Sequence, residues 1–282
     1  MTTTVCLSFD FDAVSLWVST FKQTTPTALS RGVFGARVGI GRILALLARK
    51  AIPATFFVPG HTAEIFPDEV RSIAKAGHEI ALHGYCHETP VGRSREEEMC
   101  LLRGSIAKLR ATLGDSFSPA GYRSPSWDLS PATISCLEEV GLLYDSSMMA
   151  DDFRPYRARA GTTADEESYN AGTPARVIEI PVAWELDDYP YFHFSSRINQ
   201  GLRTPDEVFE IWKGEFDYCR EEMADGVFTL TMHPQIIGRG PRIRMLDRLI
   251  DHMAASPEVR FSTIAETARR FATLDDDRSA AR

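Results

Sequence analysis

A distorted (β/α) barrel of about seven parallel strands, built like a TIM barrel, is the fold class this sequence predicts. Short apolar runs bounded by turn residues recur along the chain, and between them lie stretches whose apolar residues return every three or four positions. The two kinds of segment alternate, and alternation of strand with helix implies a parallel sheet with crossover helices. An open doubly wound sheet fits the same alternation. In either architecture, reactive groups belong at the C-terminal ends of the strands.

The strands are expected at residues 5–9, 54–58, 79–82, 177–180 and 227–231, with shorter ones at 120–123 and 260–262. Two helices are marked by a single apolar face, one by Met99, Leu102, Ile106, Leu109 and Leu113, the other by Phe209, Trp212, Phe216, Cys219 and Met223. Each is preceded by a capping box, Ser94 with Glu97 and Thr204 with Glu207, and Pro205 and Pro131 stand where a first helical residue belongs. Further helices are expected at 40–49, 67–76, 131–141, 242–254 and 264–271. Three segments, 13–39, 144–176 and 184–203, do not fit the alternation; long irregular segments of this kind roof a site.

The 282 residues, 44% hydrophobic and 25% charged, suffice for one buried core without disulfides. A single catalytic domain over 1–282 is expected, with a frayed polar tail at 275–282. The net charge of −8 comes with no basic run, which argues against nucleic acid or an anionic membrane as partner. No apolar stretch is long enough to span a bilayer, and Met1 leads into a Thr run with neither a basic nor an apolar leader region, so a cytoplasmic location is expected. The five cysteines form no CxxC pair and read as small buried hydrophobes.

Four elements at strand ends carry chemistry. Ser8-Phe9-Asp10-Phe11-Asp12-Ala13 closes the first strand; residues two apart on a strand face the same side, so Asp10 and Asp12 can look into one pocket. Taken alone, such a pair serves equally well in a turn or helix cap. His83-Gly84-Tyr85-Cys86-His87 follows the third strand with the spacing of a metal pair; if the chain turns into a helix there, both imidazoles can reach one ion. With a carboxylate from another strand end they make a two-His, one-carboxylate set with positions open for water and substrate. Such a set suits one divalent ion, zinc as the expected metal and Fe(II), Co or Ni on the same ligands. Arg123, in Gly121-Tyr122-Arg123-Ser124-Pro125-Ser126-Trp127, can pair with Asp10. His233, delivered by the strand Phe228-Thr229-Leu230-Thr231-Met232, is placed like a general acid. Trp17, Tyr122, Trp127, Trp184 and Phe192 are candidate pocket walls. Asp187 and Asp188 can tune a histidine, touch substrate or cap a turn.

In these residues the chain resembles the polysaccharide deacetylase superfamily, which shares the chitooligosaccharide deacetylase homology domain and includes allantoinase-like and cyclic imide hydrolase members. The resemblance is carried by Phe9-Asp10-Phe11-Asp12-Ala13-Val14, His83-Gly84-Tyr85-Cys86-His87-Glu88, Glu179-Ile180-Pro181 through Trp184-Glu185-Leu186-Asp187-Asp188, and His233-Pro234. It implies Asp10 as base with Arg123 as its partner, Asp12, His83 and His87 as metal ligands, His233 as acid, a distorted barrel of about seven strands, and a homo-oligomer. Two departures stand out. Phe11 splits an acidic pair that is adjacent in most carbohydrate-active members, and Ser126 stands where an aromatic residue follows the proline, with Trp127 one place later.

The expected function is metal-dependent hydrolysis of a non-peptide C–N amide bond, with an N-acetylated amino sugar or a small cyclic amide, imide or ureide as substrate. The alternatives are a catalytically inactive carbohydrate-binding module, or a glycosidase using Asp10 and Asp12 as its carboxylate pair. Neither gives the histidines a role.

Overall fold

The computed structural model describes residues 2–194 and 202–280, the last five by backbone alone. Eleven strands run through these residues: β1 (Thr3–Asp10), β2 (Thr55–Val58), β3 (Glu79–Leu82), β4 (Gly121–Tyr122), β5 (Tyr144–Asp145), β6 (Tyr156–Ala160), β7 (Thr163–Ala164), β8 (Tyr169–Asn170), β9 (Thr173–Glu179), β10 (Val227–Met232) and β11 (Val259–Phe261). The main sheet has the order β10-β1-β2-β3-β4-β5-β9-β6. From β10 round to β9 the seven strands are parallel; β6 returns antiparallel on the edge. β11 pairs with the first residues of β1, while β2 pairs with its last. Between β9 and β10 the curl stays open apart from one parallel bridge, Asp187 to Thr231. The expected barrel is therefore present in its distorted, incompletely closed form.

The expected helices appear as α2 (Ile40–Lys50), α4 (Pro67–Lys75), α5 (Arg95–Leu113), α6 (Thr133–Glu139), α8 (Pro205–Glu222), α10 (Gly240–Ala254) and α11 (Ile264–Ala280). Both capping boxes form, at Ser94 with Glu97 and at Thr204 with Glu207, each worth about 1 kcal/mol. The predicted faces point inward: Leu102 and Leu109 of α5, and Trp212, Phe216 and Cys219 of α8, are buried in one core with Leu7, Phe9 and Phe56 of the sheet. Burying each large apolar side chain contributes roughly 1.5–3 kcal/mol. β1 is buried at all eight positions because both faces of the sheet are packed there, Val5, Leu7 and Phe9 into one cluster and Cys6 into another.

Several boundaries differ from expectation. Residues 13–39 are mostly helical: a π-helical turn (Leu16–Thr20), α1 (Pro26–Phe34) capped by the Thr25 side chain, and a second π turn (Gly35–Gly39) that runs into α2. Thr25 accepts from the Ala28 amide and Pro26 takes the first helical position, a start not expected from the sequence. Residues 144–176 hold β5, β6, the small β7–β8 hairpin and the first four residues of β9, a strand expected only from Val177. Within 184–203 lie a 3-10 turn (Trp184–Leu186) and α7 (Asp188–Phe192), while residues 195–201 are outside the described residues. Two short helices, α3 (Gly60–Ile65) and α9 (Pro234–Ile237), were not expected. α11 continues past Phe271 to Ala280, so the backbone of the expected tail is helical to that point. No helix among the described residues is long and apolar enough to cross a membrane.

Candidate active site

The C-terminal ends of β1, β3, β4 and β10 meet over one cleft. Asp10 is the last residue of β1 and Asp12 follows two later; both are buried. The segment after β3 is a turn, not the helix that would have set His83 and His87 one turn apart. Gly84 takes φ 67° and His87 φ 59°, and both Glu88 carboxylate oxygens accept from the turn, from the Tyr85 amide at 2.7 Å and the Cys86 amide at 2.5 Å. A Cβ at Gly84 would also stand 2.9 Å from Pro125 Cγ, so only glycine suits that position. The turn brings the two imidazoles together edge to face, with centroids 4.9 Å apart.

Each imidazole is held from behind. His83 Nδ1 donates to the Arg123 carbonyl at 2.7 Å, and His87 Nδ1 donates to Thr20 Oγ1 at 2.7 Å while that hydroxyl donates to the His87 carbonyl. With the proton on Nδ1, each Nε2 presents a lone pair to the cleft. There His83 Nε2 lies 3.4 Å and His87 Nε2 3.7 Å from Asp12 Oδ1. Asp12 Oδ1 is buried and accepts no hydrogen bond from any described residue. Two donors bonded at about 2.1 Å to a tetrahedral ion stand about 3.4 Å apart, so the set fits a divalent cation of zinc size.

Arg123 is fully buried and each of its three guanidinium nitrogens donates a hydrogen bond. Nη1 donates to Asp10 Oδ1 at 2.8 Å and to Ser8 Oγ at 2.9 Å; Nε and Nη2 donate to the carbonyl and hydroxyl of Ser146, each at 2.9 Å. The ring of Phe57 lies 4.1 Å beneath it. A buried charge persists only with such partners. Asp10 Oδ2 is left facing His83 Nε2 at 3.8 Å and His233 Nε2 at 4.0 Å.

His233 caps α9 at the end of β10. Asp188 Oδ1 accepts from its Nδ1 at 2.7 Å, and both Asp188 oxygens accept from its backbone amide. Asp187 Oδ1 stands 3.5 Å from the same Nδ1. Burial would lower His233, yet Asp187 and Asp188 hold its pKa well above the usual histidine value. Burial raises Asp187 to about 7 against the pull of His233. In the other group, burial brings His87 down to about 4, so it is neutral at pH 7 and able to coordinate. Burial would raise Asp12, but His87, His83 and His233 bring it to about 2. Burial would likewise lower His83; Asp10 and Asp12 raise it, and that same negative field favours a cation.

The cleft holds about 210 Å³, lined by Leu16, Thr20, Phe21, Ser126, Trp127, Trp184 and Tyr189 around Asp10, His83, His87, Asp187 and His233. Trp127 and Trp184 stack with centroids 4.4 Å apart. Three expected wall residues lie elsewhere. Trp17 is buried in a satellite core with Leu16 and Ala28, because the π turn rotates it inward. Tyr122 is a core residue whose hydroxyl reaches Ser124, and Phe192 is buried under Arg242. Asp188 does not line the cleft; it supports His233 from behind. The sequence reading missed Thr20, Ser146 and Gln235, whose Nε2 donates to Asp12 Oδ2 at 3.3 Å. For Ser146 a signal existed, a polar Asp-Ser-Ser run at the end of β5; for the other two none did.

Residues 35–144 match the polysaccharide deacetylase family model. The peptidoglycan deacetylase of Helicobacter pylori is 34% identical over 281 residues, covering 95% of each chain. The crystal structure of a protein assigned to the polysaccharide deacetylases from Mycobacterium smegmatis superposes with a TM-score of 0.85 at 34% identity, over 97% of this chain and 91% of that one. An allantoinase crystal structure shares the fold, with a TM-score of 0.78 at 24% identity over 96% of this chain and 90% of that one. The local match covers only the β2–β5 portion and its approach, but the identity to the Helicobacter enzyme extends over nearly the whole length, and on that ground the chain belongs to the polysaccharide deacetylase family.

Proposed function

We propose that this hydrolase is metal-dependent and removes the acetyl group from an N-acetylated amino sugar, with Asp12, His83 and His87 as the metal ligands. The observation that carries the proposal is Asp12 Oδ1, a buried carboxylate oxygen without a hydrogen bond among the described residues, facing the Nε2 atoms of His83 and His87. Leaving such an atom unsatisfied costs about 1–3 kcal/mol or more. When bound, a divalent ion supplies Lewis acidity toward water and the substrate carbonyl. Zinc is the expected ion, and the ligands also suit Fe(II), Co or Ni.

The chain's own residues supply the proton transfers. Asp10 is pinned through Oδ1 by Arg123, so Oδ2 is the oxygen that takes the proton of the attacking water. His233 holds its Nδ1 proton against Asp188 and, protonated also on Nε2, delivers that second proton to the departing nitrogen, which cannot leave as an amide anion. Trp127 and Trp184 offer an aromatic platform for the sugar ring.

A small cyclic amide or imide is the second reading, favoured by a cleft of only about 210 Å³, smaller than a drug-sized pocket and suited to a single ring. A glycosidase is disfavoured because Asp10 and Asp12 converge on the same His83 nitrogen, at 3.8 and 3.4 Å, with no room for a sugar between them. The test is to assay the zinc-loaded and the chelator-treated protein on N-acetylglucosamine oligomers, succinimide, hydantoin and allantoin. Acetate release that disappears on chelation supports the proposal; ring opening without acetate release supports the second reading. Full activity after complete removal of metal refutes the scheme.

A further inference from the structure

The two carboxylate oxygens of Asp12 have unlike surroundings. Oδ1 faces His83 and His87 and accepts no hydrogen bond from any described residue. Oδ2 accepts from Gln235 Nε2 at 3.3 Å and lies 3.8 Å from His233 Nε2. A carboxylate can bind a divalent ion through one oxygen or both, so whatever occupies Oδ2 decides between the two modes. An amide beside a carboxylate turns its NH₂ toward it, because its carbonyl oxygen would be repelled.

Gln235 is held by packing, since its Oε1 has no hydrogen-bond partner among the described residues and Nε2 has only Asp12. It lies in α9 directly after His233-Pro234, so the residue touching the ligand carboxylate is two places from the residue that delivers the proton. Its side chain is buried and confined by the π turn at Gly35–Gly39. A Cβ on Gly35 would stand 3.0 Å from Gln235 Cβ and 3.1 Å from its Oε1, so the close approach depends on glycine there. Helix irregularities of this kind recur at functional sites.

We propose that Gln235 is a positioning residue that occupies Oδ2 of Asp12, restricts Asp12 to ligation through Oδ1, and so keeps the ion away from His233 Nε2. The inference rests on the metal reading above. Oriented partners behind metal ligands are worth about 10- to 100-fold in affinity. Loss of the amide frees Oδ2, which both loosens Asp12 and permits a second bond to the ion.

The test uses Gln235→Met, which keeps the volume of the side chain and removes its donor. Wild type and variant, freed of metal, are titrated with Co²⁺ alone and with Zn²⁺ alone, and the visible absorption of the Co²⁺ form is recorded. The expected result is a Kd raised at least tenfold or so and a changed Co²⁺ absorption intensity, in a metal-free variant that still melts cooperatively. Equal Kd and identical Co²⁺ spectra in the two proteins overturn the proposal. Should Gln235→Met not fold, Gly35→Ala presses on Gln235 without altering its chemistry; a smaller change in the same two readouts supports the proposal, and none overturns it. A wild type that takes up neither cation defeats the metal reading and this inference with it, an outcome distinct from a wild type that binds and a variant that binds equally well.

Discussion

Two aspartate–histidine groups present their imidazoles to the same cleft and are built for opposite purposes. In the group formed by Asp12, His83 and His87, imidazole nitrogens lie 3.4 and 3.7 Å from one carboxylate oxygen; burial brings His87 down to about 4, while Asp10 and Asp12 raise His83 against its burial. In the group formed by Asp187, Asp188 and His233, the contact to Asp188 is a 2.7 Å hydrogen bond, and His233 is held well above the usual histidine value. The difference lies in which ring nitrogen faces the acid. His83 and His87 spend Nδ1 on a carbonyl and a hydroxyl and turn Nε2 to Asp12; His233 spends Nδ1 on Asp188 itself. One arrangement leaves lone pairs for a cation, and the other stabilises an imidazolium.

Breaking the first group should have the largest effect. His83→Ala is expected to leave no stoichiometric metal by elemental analysis and to lower turnover by roughly 10³-fold; retention of both would remove the distinction between the groups. Asp10→Asn belongs to neither group and tests the space between them. Its metal content should stay at the wild-type value while kcat falls by about 10²- to 10⁴-fold, and a loss of metal instead would make Asp10 a ligand.

Breaking the second group should change a pH profile and leave the metal in place. Asp187 and Asp188 raise the His233 pKa, so removing one carboxylate lowers it. The acid must be protonated to act, so in Asp188→Asn the alkaline limb of kcat against pH moves to lower pH, and activity is lost more at pH 8 than at pH 6. A limb that stays put or moves upward contradicts the role given to His233. The smallest effect is expected at the wall that both groups share. Trp184, 47% exposed and stacked on Trp127, contributes through ring contact alone. Trp184→Ala should raise KM by roughly 2- to 10-fold with kcat and metal content kept.

How much of this was legible depends on the distance over which each residue acts. The two capping boxes, the helix faces and the apolar strands are local in sequence, and they formed where local chemistry placed them. Asp10, Asp12, His83, Arg123 and His233 could be singled out because a parallel sheet sends its strand ends to one side, whatever its precise closure. Trp17 and Tyr122 misled because an aromatic next to a motif is as ready to fill a core as to wall a cleft, and only the π turn and the β4 packing show which. Thr20 and Gln235 carry no mark in the sequence. One lies 67 residues from the histidine it orients and the other 223 from its aspartate.

The sequence by itself determined the alternation that curls the sheet, the ends of its strands and the reactive residue types placed there, because hydrophobic periodicity and capping act within a few residues. Only the tertiary structure decided which nitrogen each histidine turns to the cleft, which oxygen of Asp12 stays free, and which of two neighbouring aspartates reaches the cleft while the other stands behind His233. Those choices are made by hydrogen-bond partners brought together from distant strands and loops, and burial away from water makes each of them costly to reverse.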